Sequence, residues 1–304
     1  MAFATGAQTS LAVIAETVWG TTPATPELTS FPVTGFNIRD SKDVYESKDI
    51  RSDRQITDVR HGFRSPLLDL DFEVKHNNFD WLLSGALFGP ITWPANVLKG
   101  GTTRNSFTIE AKYGDVTQFM RATGFMVKTL GVKVGTDGIV TGKAGLIGKA
   151  FTLAATTVDN SGAYTASTAK SSMSAFQAAL TEGGSAIASV TSLDFNIDNG
   201  LDPAKVVGLA YAANIFDGRQ KVTGTLNAFF EDAVLYNKFL NETASALVLT
   251  LTDPAAATLT ITLPNIKYTA GDSAVDGESG IVLNLPFTAL YDATEATSIK
   301  IVRS

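Results

Sequence analysis

The clearest signal along the chain is strict alternation, with Leu68, Leu70, Phe72 and Val74 apolar and Asp69, Asp71, Glu73 and Lys75 polar. A period of two predicts a strand with one face in a core and the other in water. The same pattern runs through 222–230, where Thr223, Thr225 and Asn227 make a milder polar side. Further strands are predicted near 10–18, 31–38, 106–112, 117–128, 175–181, 187–197, 246–252, 258–263 and 280–290, separated by Gly, Asp and Pro turns. Two segments change period. Phe79, Leu82, Leu83 and Ala86 predict a helix over 78–88, and Leu235, Phe239 and Leu240 predict one over 232–242. Asp80 and Asp232 stand near their starts, where a carboxylate complements the helix dipole.

These elements repeat in order. Phe36-Asn37-Ile38 recurs as Phe195-Asn196-Ile197, and Ala15, Glu16 and Gly20 have an echo in Glu182 and Gly183. Gly62 and the strand ending near Phe72-Glu73 answer to Gly218 and a strand ending near Phe230-Glu231, each followed by a helix. After the helix the offset shrinks, since Gly138-Ile139-Val140 matches Gly280-Ile281-Val282, so the first copy carries an extra loop. Residues 89–103, with Pro90, Pro94, Gly100 and Gly101, have that character. A mainly β fold follows: two tandem β-sandwich or open-barrel modules, 1–155 and 156–304, each flanked by one short α-helix. The boundary falls in the Thr-, Ser- and Ala-rich stretch 155–174, which reads as a linker or a long surface loop around Asn160-Ser161-Gly162.

One stretch is crowded with alternating charge. Between 39 and 60 stand Arg39, Asp40, Lys42, Asp43, Glu46, Lys48, Asp49, Arg51, Asp53, Arg54, Asp58 and Arg60, while the counterpart at 198–217 is much milder. A loop of this length in a compact domain is functional or disordered.

Composition narrows the function. The 304 residues are 44% hydrophobic, enough to fill two cores. With 24 basic and 30 acidic side chains the net charge is -6, which argues against tight binding of nucleic acid. There is no cysteine, so disulfides and thiolate metal sites are excluded and assembly in a reducing cytoplasm is suited. Residues 1–10 lack the features of a secretory signal, and no apolar run reaches the roughly 18 residues needed to span a bilayer.

Candidate chemistry is sparse. The two histidines, His61 and His76, flank a strand and are expected to be exposed turn residues outside any zinc spacing. Gly138-Ile139-Val140-Thr141-Gly142-Lys143 resembles a phosphate loop, but it is one residue short and Ala144 stands where a magnesium-binding hydroxyl belongs, so a β-turn is expected. No Gly-x-Ser-x-Gly elbow is present. Asp69, Asp71 and Glu73 would sit about 7 Å apart along one strand, without a calcium loop. Asn241-Glu242-Thr243 fits a glycosylation sequon but lacks a secretory context. Neither an enzyme nor a cofactor is indicated.

The run Leu193-Asp194-Phe195-Asn196-Ile197-Asp198-Asn199-Gly200-Leu201, followed by Gly208, Gly218-Arg219, Val222-Thr223-Gly224-Thr225-Leu226 and Phe230-Glu231-Asp232, resembles the tail tube proteins of long-tailed bacteriophages. Glu16-Thr17, Gly20-Thr21 and the arginine-rich stretch 51–64 extend the resemblance to nearly the whole chain. It implies a virion protein whose β-sandwich subunits join into rings, the rings stacking into a hollow tube for DNA in transit. Its implied partners are further copies of itself, tail terminator and tail tip proteins, and a tape measure protein inside the tube.

Rings of this family resemble sixfold assemblies of single modules, so a two-module chain is expected to close a pseudo-hexameric ring as a homotrimer. Asp69, Asp71, Glu73, Thr223, Thr225 and Asn227 are candidates for lining the lumen, where rings of negative charge would repel phosphate; the alternative places the carboxylates on the outer surface. Arg39, Asp43, Glu46, Lys48, Asp49, Arg51, Asp53 and Arg54 are candidates for contact between stacked rings. Two other classes stay open: a carbohydrate-binding or adhesin-type surface module, which needs an exposed aromatic cluster, whereas Trp19, Trp81 and Trp93 do not cluster in sequence and only Trp93, in the extra loop, is a candidate for exposure, and a hydrolase working through the acidic strand.

Overall fold

The computed structural model of the chain describes residues 3–136, 138–187, 189–275, 278 and 280–304. In the first half, β1 (Thr9–Ala15), β2 (Thr29–Phe31), β3 (Gly35–Glu46) and β4 (Val59–Glu73) lead to helix α1 (Asp80–Leu87). Then follow β5 (Val97–Lys99), β6 (Phe107–Tyr113), β7 (Gln118–Val134), β8 (Thr141–Ile147) and β9 (Ala150–Ala154). The second half holds β10 (Ala178–Glu182), β11 (Ser185–Ala186), β12 (Val190–Asp198), β13 (Asp202–Pro203), β14 (Ile215–Phe216) and β15 (Lys221–Phe229). After helix α2 (Val234–Leu240) come β16 (Ser245–Thr252), β17 (Thr258–Tyr268), β18 (Asp272–Ala274), β19 (Val282–Ala289) and β20 (Lys300–Arg303).

The ladders are antiparallel, and their order is the same in both halves. In the first, β1–β6–β7–β9 form one run and β3–β4–β8–β7 another, with long β7 shared between them. In the second, β10–β16–β17–β20 and β12–β15–β19–β17 share β17 in the same way. The halves then fuse. The later part of β7 pairs with β12, making one continuous run β3–β4–β8–β7–β12–β15–β19–β17, and β5 pairs with β20.

A strand can serve two sheets only if it turns a corner. β7 does so at Gly124, whose φ of +71° strains any residue with a side chain. Glu16 fixes that corner: its carboxylate accepts from Gly124 N, Gly20 N, Ser106 Oγ and Thr108 Oγ1, each within 2.7–2.8 Å. Trp19 Nε1 donates to the Gly124 carbonyl at 3.0 Å.

One face of the eight-stranded run is the core. Phe36, Leu70, Ala144, Leu130, Ile197, Val222, Ala289 and Ile266 stand opposite one another in turn, one per strand. The next row pairs glycine with phenylalanine twice: a Cβ on Gly142 would lie 2.4 Å from the Phe72 ring, and one on Gly224 2.5 Å from that of Phe287. These glycines make room for aromatic rings across the strand boundary.

The two helices are held differently. α1 buries Leu82, Ala86 and Leu87, and its C-cap Phe88 adopts φ +49° with its ring buried among Met126, Ile147, Leu201 and Ile215. Leu201 and Ile215 belong to the second half, so this cluster seals the seam between halves. Burying each such side chain is worth about 1.5–3 kcal/mol, which offsets the αL cost of Phe88. Asn199 Nδ2 and Gln220 Nε2 also donate to the Ala86 carbonyl, satisfying a group that the helix end leaves orphaned. α2 buries no residue fully; Leu235, Tyr236 and Phe239 pack half-buried against the core.

The mainly β class with two short helices is as expected, and several local expectations are corrected. The charged stretch 39–60 is largely hairpin: β3 runs on to Glu46 and β4 begins at Val59, so only 47–58 form the tip. The extra loop 89–103 contains β5, which reaches the sheet of the second half. Thr141–Ile147, part of which was expected to be a turn, is strand β8 at the centre of the sheet. The stretch 155–174 is strapped to the first half: Asp159 accepts from Leu28 N at 2.7 Å, Thr157 and Val158 bind Glu110, and Met173 is fully buried. His61 lies on β4, and His76 is buried with both ring nitrogens unpartnered among the described residues.

Candidate functional site

The outward face of the eight-stranded run is polar across its width. One row reads Gly35, Asp71, Lys143, Gly131, Asn196, Thr223, Thr288 and Lys267. The next reads Glu73, Thr141, Lys133, Asp194, Thr225 and Pro286. Directly paired residues share a face, so the ladders bring Asp69, Asp71 and Glu73 of β4 onto the same surface as Thr223, Thr225 and Asn227 of β15.

That surface is not uniformly acidic. Arg39 pairs with Asp69, Lys143 Nζ lies 3.0 Å from Asp71, and Glu73 accepts from Ser172 Oγ. Asp194 faces Lys133 across the ladder; partial burial pushes its carboxyl above the usual range and the lysine pulls it back. On β15, Asn227 receives a hydrogen bond from Asn284 Nδ2 at 2.7 Å and donates to Ser192 Oγ at 2.9 Å. The carboxylates expected to act as a negative wall therefore stand in a mosaic with basic and amide groups.

The residues expected between rings all lie on the β3–β4 hairpin. Arg39, Asp43 and Glu46 are on β3, while Lys48, Asp49, Arg51, Asp53 and Arg54 are on the tip. Within the tip Arg51 grips Asp53 through two hydrogen bonds, holding the carboxyl below and the guanidinium above its ordinary range. Sequence reading missed two features of this end. Ile50 and Ile56 are fully or largely exposed between the charges. The loop from β12 to β15 also folds over the end of the first half to lie beside the hairpin: Lys205 meets Asp43 at 3.2 Å, and Arg64 stacks on Tyr211 and donates from its backbone to Ala210. This loop exposes Val206, Val207 and Leu209, so one rim of the molecule carries two projections with bare apolar tips. The cluster Val206-Val207-x-Leu209 in a Gly- and Ala-rich loop was the available signal.

The run has two edges that are free among the described residues. β3 pairs only with β4, leaving its other side open from Gly35 onward. β17 pairs with β16 as far as Ile266, and beyond that only its β19 side is occupied. Phe36 and Ile38 are half-buried on the open edge, whereas Phe195 and Ile197 on the enclosed strand β12 are buried at 3% and 0% exposure.

Other chemistry is not assembled. Among the described residues no group of three or more His, Asp or Glu converges as a metal site, and no helix is long and apolar enough to cross a membrane. Trp93, the candidate for exposure in the extra loop, is buried and donates to Ser84 Oγ. Trp81 is packed between Phe31 and Phe107, and Trp19 lies under Lys149. The three tryptophans thus form no sugar-binding platform.

A family model described as phage tail tube protein matches residues 6–289. No curated protein matches the chain.

Proposed function

The chain belongs to the phage tail tube protein family, and from that premise we propose that three copies close a ring, that rings stack into a hollow tube, and that viral DNA passes along it. The coarser role is that of a structural component of the virion tail which assembles with itself. The finer reading rests above all on one observation: a continuous eight-stranded run whose second half repeats the ladder order of the first and which ends in two free edges. That repetition supports reading the chain as a tandem duplication, so three chains do the work of six single modules.

Closing the run removes the open edges, which on a monomer invite aggregation. Three times eight strands at about 4.8 Å spacing close into a barrel roughly 40–50 Å across at the backbone, which leaves a channel for a DNA duplex. In this reading the core face turns outward toward the helices and the polar face lines the lumen. Asp69, Asp71, Glu73, Thr223, Thr225 and Asn227 then meet the passing DNA. Their mosaic suits transit: Arg39 and Lys143 are engaged by carboxylates, so few free cations are offered to phosphate. A tape measure protein would fill the same lumen before ejection.

The β3–β4 hairpin and the 199–220 loop would contact the next ring, with charges setting register and Ile50, Ile56, Val206 and Val207 supplying apolar contact. Tail terminator and tail tip proteins would meet the two ends of the stack. A chain without cysteine needs no oxidising compartment, which fits assembly in the host cytoplasm. Negative-stain microscopy of the concentrated protein should show hollow rods with a central channel, and persistent monomers under all conditions would overturn the reading.

A further inference from the structure

We infer that the seam between neighbouring chains of a ring copies, residue for residue, the seam that already exists inside each chain, with Ile38, Asn37 and Arg39 of β3 laid against Tyr268, Thr269 and Lys267 of the next copy. The inference rests on the ring reading above and adds to it a register, a partner strand and a set of opposed residues.

The template is the β7–β12 ladder. There Leu130 stands opposite Ile197, Gly131 opposite Asn196 and Thr129 opposite Asp198. Each strand of that ladder has a counterpart with one side unpaired among the described residues. β3 corresponds to β12: each begins its own four-strand run, and Ile38 pairs with Leu68 as Ile197 pairs with Val222. β17 corresponds to β7: Leu130 and Tyr268 each end such a run, reached through Ala144 in one half and Phe287 in the other. Carrying the internal ladder over by these correspondences sets Tyr268 opposite Ile38, Thr269 opposite Asn37 and Lys267 opposite Arg39.

Three observations favour this occupant. Among the described residues β3 and the segment after Ile266 are each open on one side, so antiparallel pairing satisfies backbone groups on both at once. Phe36 and Ile38 are only half-buried beside a groove lined by Val33, Tyr113 and Met120, whereas Phe195 and Ile197 at the internal seam are fully enclosed. A second copy on this edge gives the first pair the environment of the second. The two cations brought together are each engaged by a carboxylate already, Arg39 by Asp69 and Lys267 by Glu242 at 3.9 Å.

The two seams are not equal in strength. Inside the chain the insertion adds the β5–β20 ladder and the Lys99–Glu295 pair at 3.1 Å, helix α1 adds the Arg303–Asp80 pair, and Phe88, Met126 and Ile147 face Leu201 and Ile215. In the second half α2 is followed by β16 after only four residues, with no insertion to supply such a clasp. The seam between chains is therefore the one that opens first.

The chain has no cysteine, so engineered pairs report without background. The test is an Asn37→Cys/Thr269→Cys variant assembled into rods and then oxidised, read on a denaturing gel without reductant. The expected result is a ladder of covalent species that stops at three chains. Gly131→Cys/Asn196→Cys, the same pair at the internal seam, is the positive control and should oxidise within one chain. An Arg39→Cys/Thr269→Cys pair is two residues out of register, beyond the Cα separation a disulfide tolerates, and should stay largely unlinked. Rods in which the out-of-register pair links and Asn37/Thr269 does not would overturn the register while leaving the tube reading intact. Failure of the unsubstituted protein to form rings or rods would instead remove the reading on which it rests.

Discussion

α2 buries no side chain completely, and beside the half-buried Leu235, Tyr236 and Phe239 one ion pair ties it to the sheet. Lys238 Nζ binds the Glu182 carboxylate, and the two side chains retain only 21% and 4% exposure. The same carboxylate accepts from Tyr268 Oη at 3.3 Å, and burial together with that charge pushes the phenol well above its usual range. Lys238→Met removes the cation and leaves a buried carboxylate with one weak donor, a loss of about 3–5 kcal/mol for a broken buried pair. For a chain of this size that corresponds to a fall in Tm of roughly 5–8 °C. Replacing both partners, Lys238→Met with Glu182→Leu, removes the desolvation cost as well and should recover most of the loss, because apolar substitutes for buried pairs are commonly neutral or stabilising. Scanning calorimetry of the two single variants and the double variant completes the cycle. A Lys238→Met protein within about 0.5 kcal/mol of the parent, or a double variant less stable than Lys238→Met alone, would refute the reasoning. Tyr268 opens the free edge of β17, so the single variant should also assemble poorly.

Three further outcomes are expected. His76 is buried, and desolvation first, then Lys170, lowers its pKa, with Asp253 opposing. The unfolded chain takes up a proton near 6.5 that the folded chain refuses; stability should be flat above about pH 7 and fall as pH drops through 6.5, and His76→Leu should lessen that acid slope in Tm-against-pH measurements. Glu46 pairs with Val59, so replacing 47–58 by Asn-Gly keeps the hairpin register. That variant should fold and form single rings that do not stack, and normal rods in the microscope would refute the stacking role. Neutralising the mosaic with Asp69→Asn, Asp71→Asn and Glu73→Gln frees Arg39 and Lys143 and should change subunit stability by no more than about 1 kcal/mol, since these pairs are exposed. Rods of that variant should retain short DNA duplexes at low salt where the parent does not, with the retention lost as salt rises; equal retention by both would contradict the lumen assignment.

The strands that alternate cleanly were legible because each has one wet and one dry face: β4 from Leu67 onward and β15 are the plainest cases. β8 was hidden for a physical reason. Its inward positions include Gly142, whose missing side chain is filled by the Phe72 ring, so the apolar beat is carried by the neighbouring strand. The distal half of β3 was hidden because beyond the sheet both of its faces meet water and both are polar. β5 and β20 are too short to show a period, and their pairing depends on contact between halves that local sequence does not encode. His76 and Trp93 are polar or amphipathic residues in Gly-, Asn- and Pro-rich company, which reads as surface; each is buried by a segment distant in the chain, as when Arg303 covers the Trp93 ring. Parity along each strand made Asp69, Asp71 and Glu73 legible as one face of β4 and Thr223, Thr225 and Asn227 as one face of β15. Their basic neighbours Lys133 and Lys143 were not legible, because recognising them requires knowing which strands adjoin.

The central claim is that each chain supplies two equivalent modules and that three chains close the ring. A reconstruction of the assembled tube at a resolution that separates the two helices and the insertion at 89–103 tests it directly. Three chains of 32.1 kDa per ring, with the insertion appearing at alternate module positions, is the predicted result. Six chains per ring, or the polar face of β4 and β15 turned away from the channel, would contradict it.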